Sequence, residues 1–151
     1  MTLFLLLQVY NTFSSELGRF SEIKMIPPEY VLKYLSESQL KIDASNVRRI
    51  ALAAGEAFGV QSVIIGQITE YNAFYPPVLG LSIEIIDVAK GATVASKAET
   101  YDSNMNYVHE ELREYASKTR AHKSLFNDDL ILHRFDMYIR FVCHRFIQKY
   151  L

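Results

Sequence analysis

Residues 62–101 read SVIIGQITEYNAFYPPVLGLSIEIIDVAKGATVASKAETY, and their rhythm decides the fold class. The first run, Val63-Ile64-Ile65-Gly66-Gln67-Ile68-Thr69-Glu70-Tyr71, starts apolar on both faces and then alternates. That is the pattern of a strand leaving a core. Gly66 inside it marks a bulge or the close approach of a helix. Tyr75-Pro76-Pro77 breaks the ladder, because proline has no N–H to give it. Leu79, Leu81, Ile83 and Ile85 then alternate with Gly80, Ser82, Glu84 and Ile86, as a half-buried strand does. Asp87-Val88-Ala89-Lys90-Gly91 reads as a turn, with Gly91 supplying a positive φ. Thr93 to Tyr101 returns as a third strand, with Lys97 and Glu99 on its wet face. The centre of the chain is an antiparallel meander.

Outward from the meander the period becomes helical. Upstream, Val47, Ile50, Ala51, Ala54 and Phe58 form a helical stripe, with Asp43 or Ser45 as its cap and Gly59 ending it. Before it, Pro28 suits a first helical turn and Tyr30, Val31, Tyr34 and Leu35 carry the stripe to about Leu40. Phe20 to Ile26 alternates like a further strand and stops at Pro27-Pro28. Val9, Tyr10, Phe13 and Leu17 extend Leu3-Phe4-Leu5-Leu6-Leu7 as an amphipathic helix ending at Gly18. Downstream, 104–121 is a mostly polar helix edged by Met105, Val108, Leu112 and Tyr115, and His122-Lys123-Ser124 reads as a loop. Asn127 or Asp128 caps one last helix that runs to the end. It lays Ile131, Phe135, Tyr138, Ile139, Val142 and Phe146 on one face and Asp129, His133, Asp136, Arg140 and His144 opposite. The order α-β-α-α-β-β-β-α-α predicts a single α+β domain over 1–151. Its sheet is the three-stranded meander plus one further strand, with helices packed on one face and a long C-terminal helix.

Composition bounds the function classes. With 151 residues, half of them hydrophobic, the chain can bury a core and is not a disordered segment. Sixteen basic against seventeen acidic residues leave a net charge of −1, without the basic excess of a general nucleic-acid binder. One cysteine, Cys143, rules out an internal disulfide and reads as a small hydrophobe. The apolar start lacks a preceding positive charge and a small-residue cleavage site, so it reads as a packed helix rather than a signal peptide. It is also too short to span a bilayer, and no transmembrane segment is expected.

No catalytic, cofactor or metal constellation emerges from the residues. His133 and His144 are eleven positions apart, roughly 16 Å along a helix, too far to share one metal ion. Asp129/His133 and Asp136/Arg140 are i,i+4 pairs of a solvated face. His109-Glu110-Glu111 has Arg113 where a zinc protease would place its second histidine. Gly55 and Gly59 lack the other glycines of a phosphate loop. The suggestive non-core feature is Tyr71-Asn72-Ala73-Phe74-Tyr75-Pro76-Pro77, a stiff aromatic loop that can serve as a recognition surface or simply cover the sheet. Tyr71, Phe74 and Tyr75 are therefore candidate partner-contact residues. Met137 and Phe141, near the polar face of the last helix, join them.

Several short strings resemble one superfamily of small bacterial envelope domains. Gly18-Arg19-Phe20 is similar to its "x-G-R-F-x-V" segment, and Gly59-Val60-Gln61-Ser62-Val63-Ile64-Ile65-Gly66-Gln67-Ile68 to its "G-A-D-Y-V-I-x-G-x-I/V" strand. Asp87-Val88-Ala89-Lys90-Gly91 with Ser96 resembles its "D-V-x-T-G-x-x-x-W-S" hairpin, Ala95 standing at the tryptophan. The superfamily includes the curli-secretion-channel lipoprotein (CsgG-like), the N-terminal domain of TolB and penicillin-binding-protein activator lipoproteins. The likeness runs over about residues 1–101. It implies a non-catalytic periplasmic or outer-membrane-associated protein that works through protein contacts, without a cofactor. It further implies a strand and an export signal before the first helix, so the chain is expected to lack both at its start.

The leading expectation is a cell-envelope assembly or interaction protein with a protein partner and a possible homo-oligomeric state. The alternatives are a small enzyme or ligand-binding domain with a pocket between helices and sheet, and a cytoplasmic adaptor.

Overall fold

A computed structural model describes residues 3–20, 22–39, 41–119 and 128–151. The elements are α1 Leu3–Leu17, α2 Pro28–Glu37, α3 Val47–Phe58, β1 Ser62–Asn72, β2 Val78–Asp87, β3 Ala92–Asp102, α4 Asn106–Thr119, α5 Asp128–His133 and α6 Phe135–Tyr150. The class is α+β, and the sheet is an open meander in the order β1-β2-β3. The cap at Asn127 and the loop at His122-Lys123-Ser124 lie outside the described residues.

The chain forms two compact units. One comprises residues 1–20, 68–81 and 98–151, the other residues 21–67 and 82–97. In the first, α6 is the centre of the core. Eight of its side chains are buried: Met137, Tyr138, Ile139, Phe141, Val142, Cys143, Phe146 and Ile147. A helix apolar nearly all round must be covered nearly all round. On one side α1 covers it, with Phe13 edge-on to Phe146 at 6.3 Å. Tyr101 of β3 stands edge-on to Phe141 at 6.0 Å, and the Tyr138 hydroxyl donates to the Tyr101 carbonyl at 2.9 Å. Val108, Leu112 and Ala116 give α4 its buried edge.

In the second unit, α3 lies so close to the strands that a Cβ on Gly55 would sit 2.7 Å from a Val63 methyl and 2.8 Å from a Val88 methyl. Only glycine fits that approach. Arg48 clamps the helix to the hairpin, donating to Glu84, to the Thr93 hydroxyl and, at 2.8 Å, to the Gly91 carbonyl. Gly59 closes α3 at φ 63° and Gly91 shapes the turn at φ 61°. Val60 N–H donates to the Gly55 carbonyl, so a helix-ending orphan group is satisfied. Asp43 and Ser45 do not cap α3 directly. They build the turn before it, where the Asp43 carboxylate accepts from Ser45 and Asn46.

Four more expectations change. Among the described residues the further strand at Phe20–Ile26 does not form: the sheet they make has three strands, and residues 23–27 are irregular. The N–H groups of Arg19 and Phe20 are instead drawn back to the Glu16 and Leu17 carbonyls at the end of α1. The long C-terminal helix is present as α6, but it starts at Phe135 and not at Asn127 or Asp128, because the helical path breaks at Arg134, whose backbone is extended (φ −120°, ψ 103°). Its guanidinium grips both carboxylate oxygens of Asp136 at the start of α6. Gly66 has open space around it, and the close approaches fall at Gly55 and Gly80 instead. Finally, β2 is buried at Leu79, Leu81 and Ile83 and also at Gly80 and Ile86, which point the other way. The cover on that strand is wider than the single face expected.

Candidate interaction site

The aromatic loop lies where β1 ends and β2 begins, and its shape starts with Asn72. The Asn72 side-chain oxygen accepts from Phe74 N–H at 3.2 Å, and its amide donates to the Pro76 carbonyl at 3.1 Å. One side chain thus spans the turn from within, as asparagine does in Asx turns. The Tyr75–Pro76 peptide bond is cis. At the far end Ser103 N–H donates to the Pro77 carbonyl at 3.1 Å, tying the loop to the segment that leads into α4.

This framework leaves Phe74 81% exposed and Tyr75 61% exposed. Tyr75 is exposed but has a ring partner. Its ring stacks on the His133 imidazole at 4.6 Å with planes 5° apart, and His133 Nδ1 lies 2.8 Å from the Asp129 carbonyl. Tyr71, at the end of β1, is exposed as well, and so are Met105 and Tyr107 at the start of α4. The Tyr107 hydroxyl is anchored on the Thr100 carbonyl. The loop backbone is braced by Asn72, and it presents Phe74 and Tyr75 next to each other with both rings exposed. Rigid aromatics on a pinned backbone lose little freedom on binding, which makes them good anchors.

Of the five residues predicted from sequence, Tyr71, Phe74 and Tyr75 belong to this surface. Met137 and Phe141 do not: both are buried in the first unit, Phe141 among Tyr101, Tyr115 and Tyr138. The break at Arg134 separates Asp129 and His133 from Asp136, Arg140 and His144, so the expected polar face is not continuous. His133 goes to the aromatic loop, a role that its helical spacing did not suggest.

His144 enters a second cluster. Its Nδ1 lies 3.2 Å from the carboxylate of Glu16, which is 6% exposed and also receives Arg19 at 3.2 Å. The Tyr115 ring packs on His144 at 5.2 Å, and burial, then the Glu16 charge, raises the Tyr115 hydroxyl. Neighbouring Cys143 is fully buried; burial, then Glu16, holds its thiol above the usual range and against thiolate chemistry. A third network joins β3 to α6, where Lys149 bonds Glu99 at 2.8 Å and the Tyr101 hydroxyl donates to the same carboxylate at 3.3 Å. These groups hold elements together. A depression of about 60 Å³ lies between α2 and α3, lined by Tyr34, Ser38, Arg49, Ile50 and Ala53. It is not between helices and sheet, and it is far below the roughly 300 Å³ at which small-molecule pockets begin. Among the described residues no cluster of His, Cys, Asp and Glu could hold a metal ion, and no helix is long and apolar enough to cross a membrane.

No family model matches the chain, and no curated protein matches it in sequence. A solved structure is similar in fold: the lipoprotein GNA1162 from Neisseria meningitidis, at 14% identity and a TM-score of 0.51, over 74% of this chain and 84% of that one. The fold is similar to that of a bacterial lipoprotein. At this identity the likeness is one of fold, and function has to come from the site.

Proposed function

We propose that this chain is a non-catalytic component of the bacterial cell envelope, periplasmic or outer-membrane-associated, that binds a protein partner through its aromatic loop. The observation that carries the reading is the state of Phe74 and Tyr75. One is 81% exposed, and the other, exposed as well, stacks on His133. Two large aromatic side chains next to each other on a braced loop offer a partner protein an apolar anchor, the residue type that carries most binding energy at interfaces. The fold likeness to a bacterial lipoprotein supports the setting, as do the strings at Gly18-Arg19-Phe20 and Asp87–Gly91 that resemble the curli-channel and TolB group.

The test compares wild type with the Phe74→Ala/Tyr75→Ala variant as bait in envelope extracts, with recovered proteins quantified. The reading expects at least one abundant protein to fall about tenfold or more, the equivalent of about 1.4 kcal/mol. Identical recovery from both baits removes the loop from the function.

A further inference from the structure

We propose that two copies of this chain join edge to edge through β1, antiparallel about a two-fold axis at Ile65, to form one continuous six-stranded sheet. The open sheet has two outer edges, β1 and β3, and they are treated differently. Along β3 stand Lys97 and Glu99; Lys149 is bonded to Glu99, and the Tyr107 hydroxyl occupies the Thr100 carbonyl. Charges and a covering side chain are the usual guards of an edge. Residues 62–69 of β1 carry no charge and no proline, and Ile64 is 39% exposed on that strand. No described segment outside the sheet places a backbone hydrogen bond on its outer side.

The register of β1 on β2 says which backbone groups face outward. Val88 N–H donates to the Gln61 carbonyl, and eight residues along each strand Gly80 stands against Thr69. In an antiparallel ladder, residues of one parity bond inward and those of the other bond outward. Gln61, Val63, Ile65 and Gln67 therefore bond to β2, and Ser62, Ile64, Gly66 and Ile68 present their N–H and C=O groups to the open side. An axis at Ile65 sets Ile64 of each copy opposite Gly66 of the other. Both are outward-bonding residues, so their backbone groups can exchange hydrogen bonds in register.

The side chains fit the same axis. Ile64 and Gly66 share one face of the strand. A Cβ added to Gly66 would meet nothing within 4 Å, so the space beside each exposed Ile64 is open on the same strand. A two-fold axis puts each bulk over the other copy's gap. The charge pattern selects this edge as well: pairing β1 brings no charge opposite another over residues 62–68, whereas β3 would carry Lys97 and Glu99 into the contact. An isologous contact of this kind uses up the edge, so assembly stops at two copies.

The test is sedimentation equilibrium of the wild type with Ile64→Lys, and oxidation of Ile65→Cys. The proposal expects a species of twice the 17.4 kDa chain mass. It expects dissociation at least tenfold stronger in Ile64→Lys, with an unchanged circular dichroism spectrum. Ile65 would face its own copy in the closer, non-bonded pairing with Cα atoms about 4.5 Å apart, within disulfide reach. Ile65→Cys should therefore form a disulfide dimer that the wild type, with Cys143 buried, does not. A monomer with rapidly exchanging Ile64 and Gly66 amides overturns the proposal. A monomer with those amides protected overturns it too. A dimer insensitive to Ile64→Lys, or open-ended polymers, also contradicts it.

Discussion

At Gly80 a single hydrogen atom decides whether three strands can lie together. A Cβ there would run into the hydroxyls of Thr69 and Thr100, the latter at 2.8 Å, and would lie 3.2 Å from the backbone N of Glu70. The backbone nitrogen cannot move aside without disturbing β1. Gly80→Ala should therefore destabilise the fold by about 1–3 kcal/mol, the usual cost of forcing atoms into a packed site. Gly66→Ala, with open space on the same sheet, should stay within about 0.5 kcal/mol of wild type. Urea unfolding of the two variants measures the contrast, and equal midpoints would contradict the packing described for Gly80. Sequence could not tell these glycines apart. Both sit inside strand patterns, and Gly66 reads as a bulge or the close approach of a helix, because periodicity reports the face of a residue and not the distance to its neighbours.

The elements themselves were legible wherever a period met a stop signal. Pro28, Gly59 and Gly91 punctuate α2, α3 and the β2–β3 turn, where a fixed φ or a left-handed backbone was needed. Two elements were misread for want of tertiary information. Phe20–Ile26 alternates as strands do, but alternation without a ladder partner does not make a strand. At the break the Arg134 guanidinium bonds a carboxylate two residues on, a contact that no helical period records. The site was legible only in part, because helical spacing does not show which faces the neighbours cover: His133 stacks on Tyr75, and Met137 and Phe141 are buried. The docking of α1 on α6 depends on Glu16, a carboxylate buried against Arg19 and His144. His144→Ala removes one of its two partners and should cost about 1–3 kcal/mol. The loss should be reduced in the His144→Ala/Glu16→Gln double variant, where no buried charge is left short. Additive losses in a urea double-mutant cycle would dismiss the coupling.

For the whole molecule, the titrating groups set a lopsided pH range. Burial raises the hydroxyls of Tyr101 and Tyr138 above the ordinary 10.0, and burial with Glu16 raises the Cys143 thiol above 9.0. The folded chain keeps these protons where the unfolded chain has released them. Their stabilisation is complete below the ordinary values and falls as pH rises past about 9–10. Glu84, lowered by the Thr93 hydroxyl and then by Arg48, and Glu114, lowered by Lys118 and Arg145, act in the opposite sense. Their contribution is present above 4.5 and falls as pH drops, but both are open to solvent and screened. Unfolding free energy measured across pH should therefore decline more steeply on the alkaline side. A flat alkaline limb would contradict the buried placement of the two tyrosines. Above these questions of stability stands the claim that Phe74 meets a partner. Its most direct test places a photo-crosslinking phenylalanine analogue at position 74 in cells and, as a control, at the exposed Lys118. Light should give a discrete covalent adduct from position 74 and none from position 118. No adduct at position 74, or the same smear of products from both, would contradict a dedicated contact at this loop.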